Sequence, residues 1–374
     1  MSHGNSSAAG LFPVRILSTS RPEFRWFAEL DIGRLSGQSL KRPRKSERQA
    51  MEFVYSAPKS VSIAAVLDDR IGEQMTLAVK EELKWYEGFA SCRDRRGELY
   101  DSEAARRTGK MLGAAFVHET SRAKDPDLHI HVLIANVTID PERNEALAMS
   151  YGEMLEMRKT LDARIQNNLA ARLSSLGYTL ETAKHGFRLR EIPAAVEENL
   201  SVRSREIATA KELLNEGYTS EQLLSVLAGR SLDEKSQLWA SGTIRDLLED
   251  IRPGPAPEAE DHEVDYQAWF ITRRPKEIAG TAELQAKLAE TFHKAGCEMF
   301  VAPEARSEPE AKMEVGKVID QGVQAVFERE WMVRTDALVD EIIRLAPGQA
   351  TNPEIEAALN SRSEFVRKKL TDTR

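Results

Sequence analysis

Leu128-His129-Ile130-His131 opens the apolar run from Leu128 to Val137, and its reading decides the fold. An apolar run of that length with several β-branched residues predicts a buried strand. Side chains alternate along a strand, so His129 and His131 share one face while Ile130, Val132 and Ile134 take the other. His118 ends a second apolar run, Met111 to Val117, and a neighbouring strand would bring it to the same spot. The chain has seven histidines, and three of them fall between positions 118 and 131. A lone His-x-His pair is more often satisfied by ordinary hydrogen bonds. The third imidazole shifts the reading to a divalent-metal site with open positions for a substrate.

The flanks carry a resemblance. Around the pair stand His118-Glu119-Thr120-Ser121-Arg122, Asp125-Pro126-Asp127 and Ala135-Asn136-Val137-Thr138. Upstream lies Glu52-Phe53-Val54-Tyr55-Ser56-Ala57-Pro58-Lys59-Ser60-Val61-Ser62. Downstream come Leu176-Gly177-Tyr178, Lys184-His185-Gly186 and Ser201-Val202-Arg203-Ser204-Arg205-Glu206-Ile207. Together and in this order, over about residues 50–210, they resemble MobF-type conjugative relaxases of the HUH endonuclease superfamily.

The resemblance implies an α+β fold. Its core would be an antiparallel-sheet, palm-like HUH unit with flanking helices and helical finger or thumb segments, followed by a smaller α-rich C-terminal region. It also implies a reaction, the site- and strand-specific nicking of single-stranded DNA at a plasmid transfer origin. The scissile phosphate would sit on a metal held by His118, His129 and His131, and a tyrosine hydroxyl would attack phosphorus. The products would be a 5′-phosphotyrosyl protein and a free 3′-hydroxyl. The implied cofactor is Mg²⁺ or Mn²⁺, with Zn²⁺ as a third candidate. Beyond DNA, the implied partners are type IV secretion or relaxosome proteins, and a helicase domain in a longer parent chain. The family keeps an acidic residue at the start of the Ser-Ala-Pro-Lys-Ser strand, and here that is Glu52. A carboxylate there could orient a metal-bound histidine or accept a proton, or it could be a strand-edge surface charge. Lys59, Arg122, Arg203 and Arg205 are the DNA-contact candidates inside the matching blocks.

The chemistry stands physically. A metal on the non-bridging phosphate oxygens neutralises charge that builds in the transition state, and neutral nitrogen ligands leave it full charge for that work. A phenol is almost fully protonated at neutral pH and needs a base nearby. The chain departs from the family at this nucleophile. The family's nicking tyrosines precede the Ser-Ala-Pro-Lys-Ser block, yet no tyrosine occurs here before Tyr55. A loose alignment sets Trp26-Phe27 in their place, on a helix expected from Ser20 to Leu35. Tyr55 lies three residues from Glu52, on the other side of the strand, and reads as core. Tyr178 reads as structural. Tyr151 stands where rolling-circle replication initiators of the superfamily place their nucleophile. The hydroxyls of Ser18, Thr19 and Ser20 are weaker candidates. Metal-activated water, or a lapsed relative that binds DNA or transfer proteins without cutting, complete the alternatives.

Composition bounds the rest. The 374 residues suffice for two or three domains, and two cysteines, Cys92 and Cys297, argue for a reducing cytoplasm rather than a disulfide framework. No run reaches a membrane span, and Met1-Ser2-His3-Gly4 does not open a signal peptide. A net charge of −8 is not that of a simple phosphate binder, so positive charge must be local. Lys41-Arg42-Pro43-Arg44-Lys45 precedes the first hallmark strand, and Arg42, Arg44 and Lys45 are either DNA-backbone contacts or a solvated loop.

Helices are expected at 68–89, at 153–176 with a core stripe of Leu155, Leu161, Ile165, Leu169 and Leu173, at 199–248, at 321–346 and at 352–370. A hairpin is expected over 178–192. The expected domains are 1–250, relaxase-like; 251–263, an acidic proline-rich linker; and 264–374, the α-rich segment. No Gly-x-x-x-x-Gly-Lys-Ser/Thr loop occurs, so no helicase motor is expected within the chain, and a fragment of a longer relaxase-helicase is favoured.

Overall fold

Four strands form the principal sheet: β1 (Arg15–Leu17), β2 (Ala50–Ser56), β3 (Gly113–Thr120) and β4 (Pro126–Ala135), in the order β1-β3-β4-β2. β1 runs parallel to β3, and the other neighbours are antiparallel. The computed structural model describes residues 15–17, 49–93, 105–142, 145–183, 186–255, 261–275, 280–305, 313–363 and 365. The readings of Ser18, Thr19, Ser20, Trp26, Phe27, Arg42, Arg44, Lys45, Lys184 and His185 lie outside the described residues.

β4 shows the alternation expected of it. Leu128, Ile130, Val132 and Ile134 are buried, whereas His129, His131 and Leu133 are half-buried on the opposite face. The strand ends at Ala135, short of Val137, because Asn136 turns its backbone N–H to Gln49 and its side-chain oxygen to the Met149 N–H.

Helices cover the apolar face: α1 (Lys59–Ala65), α2 (Arg70–Glu87) and α3 (Arg158–Ser175). Val61, Ile63, Ile71, Met75, Val79, Leu83, Ile165 and Leu169 make the first core with the β4 residues. The helix expected over 153–176 is two helices, Gly152–Glu156 and α3, parted at Met157. Leu155 leaves the stripe as a result and is 40% exposed, while Leu161, Ile165, Leu169 and Leu173 are buried. Those four repeat every fourth residue, but Leu155 to Leu161 is six residues, roughly 120° out of phase. The expected hairpin is present, with Leu180–Ala183 antiparallel to Gly186–Leu189.

A second core gathers α4 (Val202–Asn215), the helices Ser220–Val226 and Leu232–Ser241, and α5 (Asp261–Ile271). Ala210, Leu214, Leu223 and Trp239 bury there with Val264, Ala268 and Ile271, so the proline-rich stretch joins helices of one core. α6 (Thr281–Lys294) then returns Leu288 and Phe292 to the first core, followed by Phe300.

The third core holds α7 (Val315–Phe327), α8 (Thr335–Leu345) and α9 (Asn352–Ser361), where one continuous helix over 321–346 was expected. It docks on α3 through buried polar groups. Arg164 Nε donates to Glu82 at 2.8 Å, and Asn352 Nδ2 donates to the same carboxylate at 2.8 Å. Asn167 Nδ2 donates to Asn352 Oδ1 at 2.8 Å, and its own Oδ1 accepts the Gly348 N–H at 2.7 Å. Among the described residues no helix is long and apolar enough to cross a membrane.

Candidate metal centre

The ladder between β3 and β4 sets His118 directly opposite His129, just before a register shift between His118 and Thr120. His131 follows two residues along β4, on the same face. The three rings form a triangle with centroid separations of 5.2 Å (118–129), 4.6 Å (118–131) and 5.0 Å (129–131). One ring nitrogen from each lies within 4.8 Å of the others, a spacing that can hold a single metal ion.

Two of the rings are held by their outer nitrogens. His129 Nδ1 donates to the Asp127 carbonyl at 2.7 Å. His131 Nδ1 donates to Glu52 Oε1, also at 2.7 Å. Glu52 reaches it from β2, whose Val54 is the ladder partner of His131. With both Nδ1 protons committed, each Nε2 keeps its lone pair for an ion, the usual arrangement behind histidine ligands. The donor set of three neutral imidazoles suits a divalent first-row ion and leaves its charge undiminished. Glu52 is 44% exposed and His131 23%, so the face is open to a substrate.

The other nominated residues are placed differently. Lys59, at the start of α1, donates to the Pro126 carbonyl at 2.7 Å; burial holds its pKa down, against the pull of Asp125 and Asp127. Arg122 Nη1 donates to the Arg274 carbonyl at 2.7 Å. Arg203 Nη2 donates to the Trp269 carbonyl at 3.0 Å, and its Nη1 to that of Thr272. Burial, then the charges of Arg122 and Arg273, pull the Arg203 guanidinium down to about 10. Arg205 donates to the Glu198 carbonyl. All four side chains therefore brace protein backbone.

Two acids in these braces were overlooked in sequence. Asp125, buried in the turn between the histidine strands, accepts Lys287 Nζ at 2.7 Å and the Val202 N–H at 3.1 Å. Glu206 is equally buried and accepts Ser236 Oγ at 2.6 Å, with Arg203 at 3.5 Å and Arg274 as ion-pair partners. The i, i+3 spacing of Arg203 and Glu206 was the only local sign of that pair.

Three tyrosines weighed in the sequence lie buried in the first core. Tyr55 is 3% exposed on the helix-covered face, and burial pushes its phenol far above the ordinary range. Tyr151 donates its hydroxyl to the Ile134 carbonyl at 3.0 Å within the core. Ile134 lies roughly 10 Å along the strand from His131. Tyr178 donates to Asp68 at 2.8 Å, also buried.

The sequence matches the profile of the TrwC relaxase family over residues 10–295. It is 28% identical over 295 residues to the multifunctional conjugation protein TraI of Escherichia coli, covering 71% of this chain and 16% of that protein. A TraI of strain K12 is likewise 28% identical, over 265 residues, covering 62% of this chain and 15% of its own length. The fold is similar to that of the conjugative relaxase TrwC in a copper-bound complex with oriT DNA, with a TM-score of 0.54, 25% identity, and coverage of 74% of this chain and 82% of that one. A TrwC complex with a 27-mer DNA comprising the recognition hairpin and the cleavage site gives a TM-score of 0.54 and 25% identity, covering 73% of this chain and 85% of that one.

Proposed function

Because the chain belongs to the TrwC relaxase family, a family of MobF-type conjugative relaxases, we propose that it binds one strand of a plasmid transfer origin and cuts it in a metal-dependent reaction. The observation that carries this reading is the convergence of His118, His129 and His131 on the open face of the sheet, with Glu52 behind His131. A bound divalent ion would supply charge neutralisation at the phosphate oxygens. The protein's part is to bring one nitrogen of each ring to a common point and to keep His129 and His131 in the ligating tautomer. Three imidazoles rank Mn²⁺ above Mg²⁺ and admit Zn²⁺, since nitrogen donors suit the later first-row ions. Glu52, exposed and beside the site, is also the proposed proton acceptor for the attacking group.

Tyr55 and Tyr151 point into the core, and the sequence holds no earlier tyrosine. The alternative is a relative that binds DNA or transfer proteins without cutting. Cytoplasmic residence, a helicase domain in a longer parent chain and docking to secretion proteins follow from the family and are proposed with it.

The test is incubation of the full chain with Mn²⁺ or Mg²⁺ and labelled single-stranded transfer-origin DNA, read by denaturing gel and intact-protein mass. A covalent adduct supports strand transfer, and peptide mapping then names the nucleophile. Cleavage without an adduct points to activated water. Binding without cleavage would point to the alternative, and no DNA binding at all overturns the proposal.

A further inference from the structure

The helix α5 carries two apolar stripes where a surface helix needs one. Val264, Ala268 and Ile271 pack into the second core and suffice to dock it. On the other side Tyr266, Trp269 and Phe270 are 63%, 37% and 56% exposed. These positions and Arg273 follow at i, i+3, i+4 and i+7, so they form one outward stripe. The rings are ordered there. Tyr266 stacks on Trp269 with centroids 6.0 Å apart and on Phe270 at 6.4 Å. The Arg273 guanidinium lies 4.7 Å from the Trp269 ring centre.

The stripe is braced at its C-terminal end. Arg203 takes the carbonyls of Trp269 and Thr272, capping the C-terminal end of α5. Arg122, four residues after His118, takes the carbonyl of Arg274 just beyond it. The end of the aromatic helix is thereby tied to the turn that joins the two histidine strands. Positive charge collects at this junction: among the described residues neither Arg122 nor Arg273 has a carboxylate partner, and together they press on Arg203.

We infer that the outer face of α5, Tyr266, Trp269 and Phe270 with Arg273, is a stacking platform for the bases of the single strand that passes the histidine site. Flat rings accept any base face, and an arginine over a ring adds a cation for the backbone, the pairing by which single strands are held without sequence readout. A protein partner would gain from the apolar area but not from unpaired arginines beside it. The inference rests on the proposed binding of single-stranded DNA.

The test is fluorescence anisotropy of the full chain with a labelled thymidine homopolymer, in the wild type and in Tyr266→Ala/Phe270→Ala. Both side chains are mostly exposed, and circular dichroism checks that the fold persists. Loss of the two rings should weaken binding by roughly 10-fold or more, and Tyr266→Phe/Phe270→Tyr should restore it. The variant should also stop distinguishing the homopolymer from an abasic strand of equal length, while Mn²⁺ titration of the histidine site stays unchanged. Equal binding by wild type and the alanine variant would overturn the platform and leave the metal-site reading intact. Wild-type protein that binds no single strand would overturn both. Unchanged DNA binding with altered self-association would assign the stripe to protein contact, against the inference.

Discussion

Replacing Glu52 by alanine should weaken metal binding at the histidine site without abolishing it. The Glu52–His131 hydrogen bond is 2.7 Å long and charge-assisted, and it holds the imidazole with Nε2 directed at the other two rings. Without the carboxylate, His131 can rotate and sample the wrong tautomer before each binding event. Partners in this position behind a histidine ligand are worth about 10- to 100-fold in metal affinity. Glu52 is nearly half exposed, so water partly takes its place, and the lower end applies. The expected loss is about 10-fold, or about 1.4 kcal/mol. Isothermal titration of Mn²⁺ into the full chain measures it directly. Glu52→Gln, which retains an acceptor oxygen but not the charge, should fall between wild type and Glu52→Ala, whereas His131→Ala should lose most of the binding. Wild-type affinity in Glu52→Ala, with His131→Ala still impaired, would refute the orienting role and leave Glu52 only a charge at the strand edge.

Two predictions concern how the third core is held. Arg164→Met should destabilise the protein by about 3–5 kcal/mol, because it strands the buried Glu82 carboxylate without its cation. It also removes a guanidinium lying 4.1 Å from the centre of the Trp85 ring. Urea unfolding measures the change, and adding Glu82→Gln should recover much of the loss; no recovery would rule out the buried charge as its cause. Separately, burial lifts the carboxyl of Asp340, which accepts from Thr160 at 3.3 Å, from 3.8 to about 6. A folded pKa above the unfolded one means that the native state keeps a proton the unfolded chain releases, so this group's contribution to stability falls as pH rises from about 4 through 6. Asp340→Asn should flatten the fall in urea midpoint over that window, and an unchanged slope would refute the assignment.

The outline of the site was legible in the chain because its information is local. Strand alternation alone puts His129 and His131 on one face, and the apolar run ending at His118 announces the strand that brings the third ring. Glu52 and Tyr55 were separable by the same parity. The braces were not legible. Arg122 and Arg203 look like phosphate contacts in a linear reading, yet their acceptors are carbonyls of Arg274, Thr272 and Trp269, far along the chain. Nor does the proline-rich composition of 251–263 reveal that α5 begins within it, at Asp261, and shares one core with the helices before it.

By itself, then, the sequence determined which residues could ligate a metal, which face of each strand they occupy, and that no tyrosine precedes Tyr55. Backbone alternation and residue chemistry act over two or three positions and need no partner. Only the tertiary structure decided that His118 stands opposite His129, that Glu52 reaches His131, that Tyr151 spends its hydroxyl on the core, and that the aromatic stripe of α5 remains outside while Arg122 and Arg203 brace the carbonyls at its end. Those outcomes depend on strand register and on packing between segments distant in the chain, where the burial of one group is set by what another, unrelated stretch brings against it.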